Sequence, residues 1–471
     1  MKTRSILILA AAALLMTACS PEDIGEQPPS NIQYPEEVNK AESSNNQNKD
    51  IPETEGETRD SVSSADNAQD SSPTEYSKGL EYIMNGDGKS YSCISKGKCS
   101  DTTVVIPPTY NTLPVTYIGN PKTQSIGYWD GVTVLIIPDG NITVHPNTFR
   151  GNKTLRDLYV GCGVTLGSSA FAECKSLESV TVGIGSKIYN GAFSRCNELK
   201  SVRLEQGVSI KGSDAFSNCL KLNEVILPSD MSAIPKGTFI GCHSLESISL
   251  PHELSEIGNY AFKECKALKS IDLPQSVKHL GNHAFKDCDA LYEITFPKSV
   301  DYLGIGIMEG CSSLKRAVLP ESIVNWQSET FSACDSLEEV VLPQSTEYIP
   351  NSVFAFCSSL TSVEIPAGVL SIGEYAFYSC AISRITLPDS VSSIGIFAFS
   401  LCEELEYVNL PMSLKAIDNY AFSGSSSLTD LSYCGEREEW QTVSKSPEWA
   451  LDSSIDKIIC SDGAITLNDT Q

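Results

Sequence analysis

A chain of 471 residues with 59 acidic and 34 basic side chains, a formal net charge of −25, carries no long basic run. Nucleic acid and anionic membrane surfaces need clustered Lys and Arg, so neither is expected as a principal partner. Beyond the first twenty residues no apolar stretch is long enough to cross a bilayer as a helix.

The chain opens with Lys2 and Arg4, an apolar stretch from Ile6 to Leu15, and Met16-Thr17-Ala18-Cys19. That layout reads residues 1–18 as an export signal ending at a small-residue cleavage site. It resembles the lipobox of bacterial lipoproteins, with Met16 where that motif usually has Leu. The resemblance implies that Cys19 becomes the acylated first residue. Several acyl chains on one residue anchor stably, where a single chain is marginal. Ser20 lacks the Asp that marks some lipoproteins for inner-membrane retention, and Glu22-Asp23 is similar to surface-export signals of certain gram-negative lipoproteins. The expected location is the outer membrane, lipid-anchored and facing the exterior.

Residues 19–78 read as an acylated cysteine followed by a tether. Between Ser20 and Glu75 lie 14 acidic and three basic residues among Pro, Ser, Asn and Gln. Such a segment cannot bury enough apolar surface to offset its ordering entropy. A flexible coil of this length holds the next domain roughly 40 Å from the lipid.

A phenylalanine then recurs at 149, 171, 193, 216, 239, 262, 285, 331, 354, 377, 399 and 422, with Met308 in the one vacancy. The intervals are 22 or 23 residues throughout. Units this short cannot bury a core alone and must stack. In one unit, Ile271 and Leu273 alternate with polar neighbours, the period of a half-buried strand, and Pro274 ends the ladder. Gly281 is expected to permit a tight corner, Ala284 leaves room, and Phe285 is the inward wedge. At about 4.8 Å per rung, twelve intervals make a stack roughly 60 Å long.

The run Leu245-Glu246-Ser247-Ile248-Ser249-Leu250-Pro251, followed by Ile257-Gly258-Asn259-Tyr260-Ala261-Phe262-Lys263-Glu264-Cys265, resembles the BspA-type leucine-rich repeat of bacterial surface proteins. The resemblance covers about Glu81 to the end. It implies a leucine-rich-repeat solenoid, a β-rich α/β fold with a parallel sheet along one face and short strands or single helical turns on the other. About 13 repeats of 22–23 residues occupy 149–430. Residues 79–148 are similar to the family's opening cap with irregular first rungs, Asn120 to Val144 departing from the pattern. Residues 431–471, with Trp440 and Trp449, are similar to its closing cap.

Eleven cysteines sit three residues after the landmark, at 174, 196, 219, 242, 265, 288, 311, 334, 357, 380 and 402. Neighbours about 5 Å apart could accept a disulfide. Stacked side chains point the same way, however, and eleven cannot pair completely, so packing as small hydrophobes is the favoured reading. Cys93 with Cys99, and Cys434 with Cys460, are better disulfide candidates because they lie in the caps of an exported chain. A parallel ladder does not converge ligands on a metal, and His279 and His283 are separated by the Leu280-Gly281 turn. No nucleophile elbow, phosphate loop or HExxH motif occurs, so neither catalysis nor a cofactor is expected.

What remains is a surface. Outward strand positions form two columns, one reading Glu293, Arg316, Glu339, Ser362, Arg384, Tyr407 and the other Thr295, Val318, Val341, Glu364, Thr386, Asn409. With Tyr292 alongside, Arg316, Val318, Glu339, Val341, Glu364, Arg384 and Tyr407 mix apolar, aromatic and charged groups as contact patches do. Normal surface scatter is the competing reading. The family resemblance implies adhesion or host-protein binding, so a protein ligand is the expected partner, the lipid anchor being the sole membrane contact. A glycan-binding accessory is the alternative, for which Tyr260, Tyr375, Phe397 and Tyr420 share a column that reads as half-buried. A structural envelope role is the third.

Overall fold

A computed structural model describes residues 76–120, 129–323 and 326–467. Cys19 and the export signal lie outside those residues, as does the tether up to Glu75.

The hydrophobic alternation produces one short strand on most rungs, and successive strands pair in parallel and in register. The rungs of Ile248, of Ile271 and Leu273, and of Val363 keep the inward alternation without forming a ladder strand. Ser179–Val182 pairs with Asp157–Val160 on one side and Ser201–Leu204 on the other, Val180 facing Leu158 and Val202. This ladder runs from Thr103–Val105 through Val134–Ile137 to Glu224–Ile226, a second from Glu293–Thr295 to Glu339–Val341, and a third from Arg384–Thr386 through Asp430–Tyr433 to Lys457–Cys460. The solenoid thus has about sixteen turns, and stacking extends on both sides of 149–430. A second ladder of mostly two-residue strands lies further along each rung, for example Glu256–Ile257 beside His279–Leu280 and Tyr302–Leu303. The rung between Thr103 and Val134 spans 31 residues, because the hairpin of Thr109–Tyr110 with Leu113–Ile118 is inserted there.

The landmark residues form a third row along the stack, beside the two strand ladders. Phe171, Phe193, Phe262, Phe285, Phe377 and Phe422 have no measurable exposure. Neighbouring rings from Phe149 to Phe285 stack with centroids 4.7–5.9 Å apart. Met308 interrupts the column and is itself fully buried. The backbone there is also tied from rung to rung, the Phe285 amide donating to Ile307 and the Phe331 amide to Val353. The stack begins one rung before the recurrent phenylalanine: Trp129 is 1% exposed and packs on Phe149 at 4.9 Å.

The column glycines have a different cause from the one read in the sequence. A Cβ on Gly281 would stand 2.5 Å from the Asn259 amide nitrogen and 2.7 Å from the Gly258 carbonyl carbon. Close approach of the preceding rung excludes a side chain there. The tight corners lie elsewhere, at left-handed residues two before and two after each landmark.

Both ends are closed. Glu81–Met84 runs antiparallel to Tyr91–Ser95 at one end, and Gly463–Thr466 antiparallel to Lys457–Cys460 at the other. Helix Arg437–Thr442, the only α-helix among the described residues, buries Trp440. Trp449 sets its ring edge-to-face against Phe422, at 6.0 Å, and ends the aromatic column.

The two candidate cap disulfides are not formed: Cys93, Cys99, Cys434 and Cys460 are free thiols. The register pairs Ser432 with Ile459, and Cys460 is buried like Tyr433 whereas Cys434, one residue on, is exposed with its thiol on Asn409. Cys99 directs its thiol to the Asp101 carboxylate at 3.5 Å, and burial pushes the Cys93 thiol up to about 12.

Candidate functional site

The eleven column cysteines are buried free thiols with a shared task. Cys288 donates to the Phe262 carbonyl at 3.2 Å, Cys311 to Phe285 and Cys334 to Met308, each reaching back one rung. Where the column ends, Asn152 donates to the Trp129 carbonyl and Ser425 to the Phe399 carbonyl. The landmark carbonyl already accepts from the amide three residues on, as Phe262 does from Cys265 at 3.1 Å, so the position selects a small donor that fills the carbonyl's second acceptor site from the next rung. Burial raises the thiol pKa of Cys242 and Cys402 to about 12, so both are protonated and inert at neutral pH. Of the sixteen described cysteines only Cys434 is exposed. A thiol reagent is thus expected to titrate that one described group quickly in the folded chain and about fifteen more after denaturation without reductant. Few new thiols on denaturation would mean that the ladder is cross-linked.

The histidine pair is split by the fold. His279 faces Asp301 at 3.1 Å, whereas His283 stacks on Tyr260 and approaches Glu309 at 3.3 Å. Among the described residues no three His, Cys, Asp or Glu side chains assemble as a metal site.

The strand columns are where the alternation put them. Glu293, Arg316 and Glu339 are in register, as are Thr295, Val318 and Val341. Tyr292, Arg316, Glu339, Glu364, Arg384 and Tyr407 are exposed, Val341 is 40% exposed and Val318 half-buried. Arg316 is already paired with Glu339 at 3.0 Å, an exposed contact of small energetic weight. Arg384 forms no ion pair among the described residues; its guanidinium lies 5.4 Å from the Tyr407 ring centroid. The expected single patch is divided. The strand ladder stops at Glu339–Val341 and resumes at Arg384–Thr386, leaving the rung of Glu364 outside it. A shallow groove of about 400 Å³ opens there, lined by Val363, Glu364, Ile365, Arg384, Thr386 and Pro388. One wall offers a carboxylate and the other a guanidinium, over an apolar floor.

A second face was only half legible. The two left-handed turn positions are filled in early rungs by residues such as Ser169, Gly191, Asp214 and Asn218. In the last four rungs five of the eight hold Phe356, Tyr375, Phe397, Leu401 and Tyr420, with φ from 56° to 63°, and the other three Ser352, Ser379 and Gly424. Bulky side chains in this region are rare and cost on the order of 1 kcal/mol each. Phe356 is 51% and Leu401 41% exposed, so core burial does not offset that strain. Tyr375, Phe397 and Tyr420 stack at 4.9 and 4.7 Å, and Tyr378 packs edge-on against Phe356, Tyr375 and Phe397. Tyr375 is exposed and Phe397 and Tyr420 half-buried, close to the sequence reading. Phe356 and Leu401 were missed; the signal was an apolar residue two places after the landmark.

The profile of the BspA type leucine rich repeat region matches four overlapping stretches, 128–245, 164–267, 232–360 and 325–444. No curated protein matches the sequence. Among solved structures, a leucine-rich repeat protein from Bacteroides ovatus is 26% identical with a TM-score of 0.65, the match covering 81% of this chain and 98% of that one. A leucine rich cell surface protein from Faecalibacterium prausnitzii is 23% identical with a TM-score of 0.41, over 80% and 99%. The pneumococcal vaccine antigen PcpA is 17% identical with a TM-score of 0.46, over 82% and 98%. The matched repeats span most of the chain and coincide with the stacked rungs, and the chain belongs to the BspA-type leucine-rich-repeat family.

Proposed function

We propose that this chain is a non-catalytic protein-interaction module, displayed outside the cell on a lipid anchor at Cys19, and that it binds a protein partner through its strand face. The observation that carries the reading is the groove between Glu364 and Arg384, continuous with exposed Tyr407 on the next rung. An Arg held over an aromatic ring, beside apolar floor and an opposing carboxylate, is the residue chemistry that dominates protein interfaces. Val341 assists no core packing from its outward position, which makes it an apolar contact in want of a partner.

Two measurements bear on the two halves of the proposal. Cys19→Ala is expected to release the chain from membranes, and wild-type retention in the outer-membrane fraction would contradict the anchor. The same soluble variant, screened against protein and glycan arrays, is expected to give protein hits. Hits confined to glycans would favour an accessory role in carbohydrate capture, and none on either array a structural role.

A further inference from the structure

We propose that the turn face of the last rungs is a second docking surface, and that its occupant is a cationic polypeptide segment anchored by apolar side chains beside Phe356 and Tyr375. The inference is independent of the strand face. It begins from two costs that folding does not explain. Phe356, Tyr375 and Leu401 are exposed, and each is held in a left-handed conformation that Gly, Asn or Asp would adopt more readily. Earlier rungs show that the same turns form with Asp214, Asn218 or Gly241 in those places. The aromatic residues are therefore not needed to build the turn. Phe356 and Tyr375 meet rings at the surface, Tyr378 and Phe397, and add nothing to the core. Strain without core burial is characteristic of sites with another use.

Charge identifies the occupant. The turn runs 350–357, 373–380, 395–403 and 418–424 contain Glu374, Glu403 and Asp418 and no basic residue; the two bases between Glu347 and Asp430 are Arg384 and Lys415. Arg384 belongs to the strand ladder, and Lys415 directly precedes the second-ladder strand Ala416–Ile417, so neither sits in the turn run. Earlier turns neutralise their acids locally, Arg150 with Glu173 and Lys286 with Glu309. Glu374, next to Tyr375, and Glu403, next to Cys402, are exposed and form no ion pair among the described residues. Apolar anchors rimmed by uncompensated carboxylates complement a segment that carries Lys or Arg around its apolar residues. A neutral sugar fits less well, because Tyr375, Phe397 and Tyr420 stack on one another and cover the ring faces that a sugar would use.

The test titrates the full chain carrying Cys19→Ala with a fluorescent 15-residue amphipathic peptide of Leu and Lys. Controls are the same peptide with Glu for Lys, and xylohexaose. The Leu/Lys peptide is expected to bind, more weakly at high salt, and the Leu/Glu peptide not to bind. Phe356→Asn with Tyr375→Asn removes the rings but suits the left-handed turns, and unchanged thiol protection confirms the fold. Affinity is expected to fall at least tenfold on the order of one lost hot spot. Glu374→Gln with Glu403→Gln should weaken binding several-fold and flatten its salt dependence. Arg384→Ala with Val341→Asp should leave this peptide bound, which separates the two faces. Undiminished affinity in the Asn variant overturns the proposal, as does an equal loss from Glu224→Gln with Glu256→Gln, which would reduce the effect to overall charge. Binding of xylohexaose at this face without the Leu/Lys peptide overturns it too.

Discussion

Phe285→Ala is expected to destabilise the central rungs by about 3–5 kcal/mol, the lost transfer energy and the residual cavity together. Phe285 is fully buried, stacks on Phe262 at 5.5 Å, and has the unbranched Met308 rather than a ring on its other side. Met308 has the rotamer freedom to fill part of the space, which favours the lower end of that range. In a one-dimensional stack the damage stays with neighbouring rungs. Hydrogen exchange should accelerate near Phe262 and Met308 and return to wild-type rates within a few rungs. Equal acceleration from Phe149 to Phe422 would mean that the array unfolds as a single unit.

Gly281→Ala is expected to cost about 3 kcal/mol, the upper end of overpacking penalties, for one added methyl group. The Cβ would meet backbone atoms of Asn259 and Gly258, which cannot rotate aside as a side-chain end would. The comparison is Gly151→Asn. Gly151 has φ +72° but nothing within 4 Å of a Cβ, and Asn tolerates that conformation, so the change should cost less than about 1 kcal/mol. A ranking in which Gly151→Asn is the more damaging would return these glycines to the role of corner formers.

The stacking was legible because it is forced: a phenylalanine every 22 or 23 residues has nowhere to go but inward, and all twelve are buried. The cysteine column followed from the same period, although its hydrogen bonds to the landmark carbonyls did not, since they join residues 25 or 26 apart. Trp129 was lost because the insertion before it breaks the period. The left-handed turns were invisible for another reason. Residues as unlike as Ser169, Arg195, Tyr260 and Leu401 occupy them, so the stack imposes a conformation that local preference does not announce. For the strand face, alternation gave the outward residues and their register. The break at the rung of Glu364 was not visible, because Val363 and Ile365 repeat the alternation of neighbouring rungs. The cap cysteines misled because a shared place in a cap carries no information on which face a strand residue takes.

Partner capture by paired variants decides whether the strand face binds. Any protein captured by the soluble chain is to be measured against Val341→Asp with Arg384→Ala, and against Ile226→Asp with Arg203→Ala. The second pair makes the same chemical changes on earlier rungs, where Ile226 and Arg203 are also outward and exposed. The first pair is expected to abolish capture with an unchanged circular dichroism spectrum, and the second pair to bind as wild type. Capture retained by the first pair and lost by the second would contradict binding at this part of the strand face.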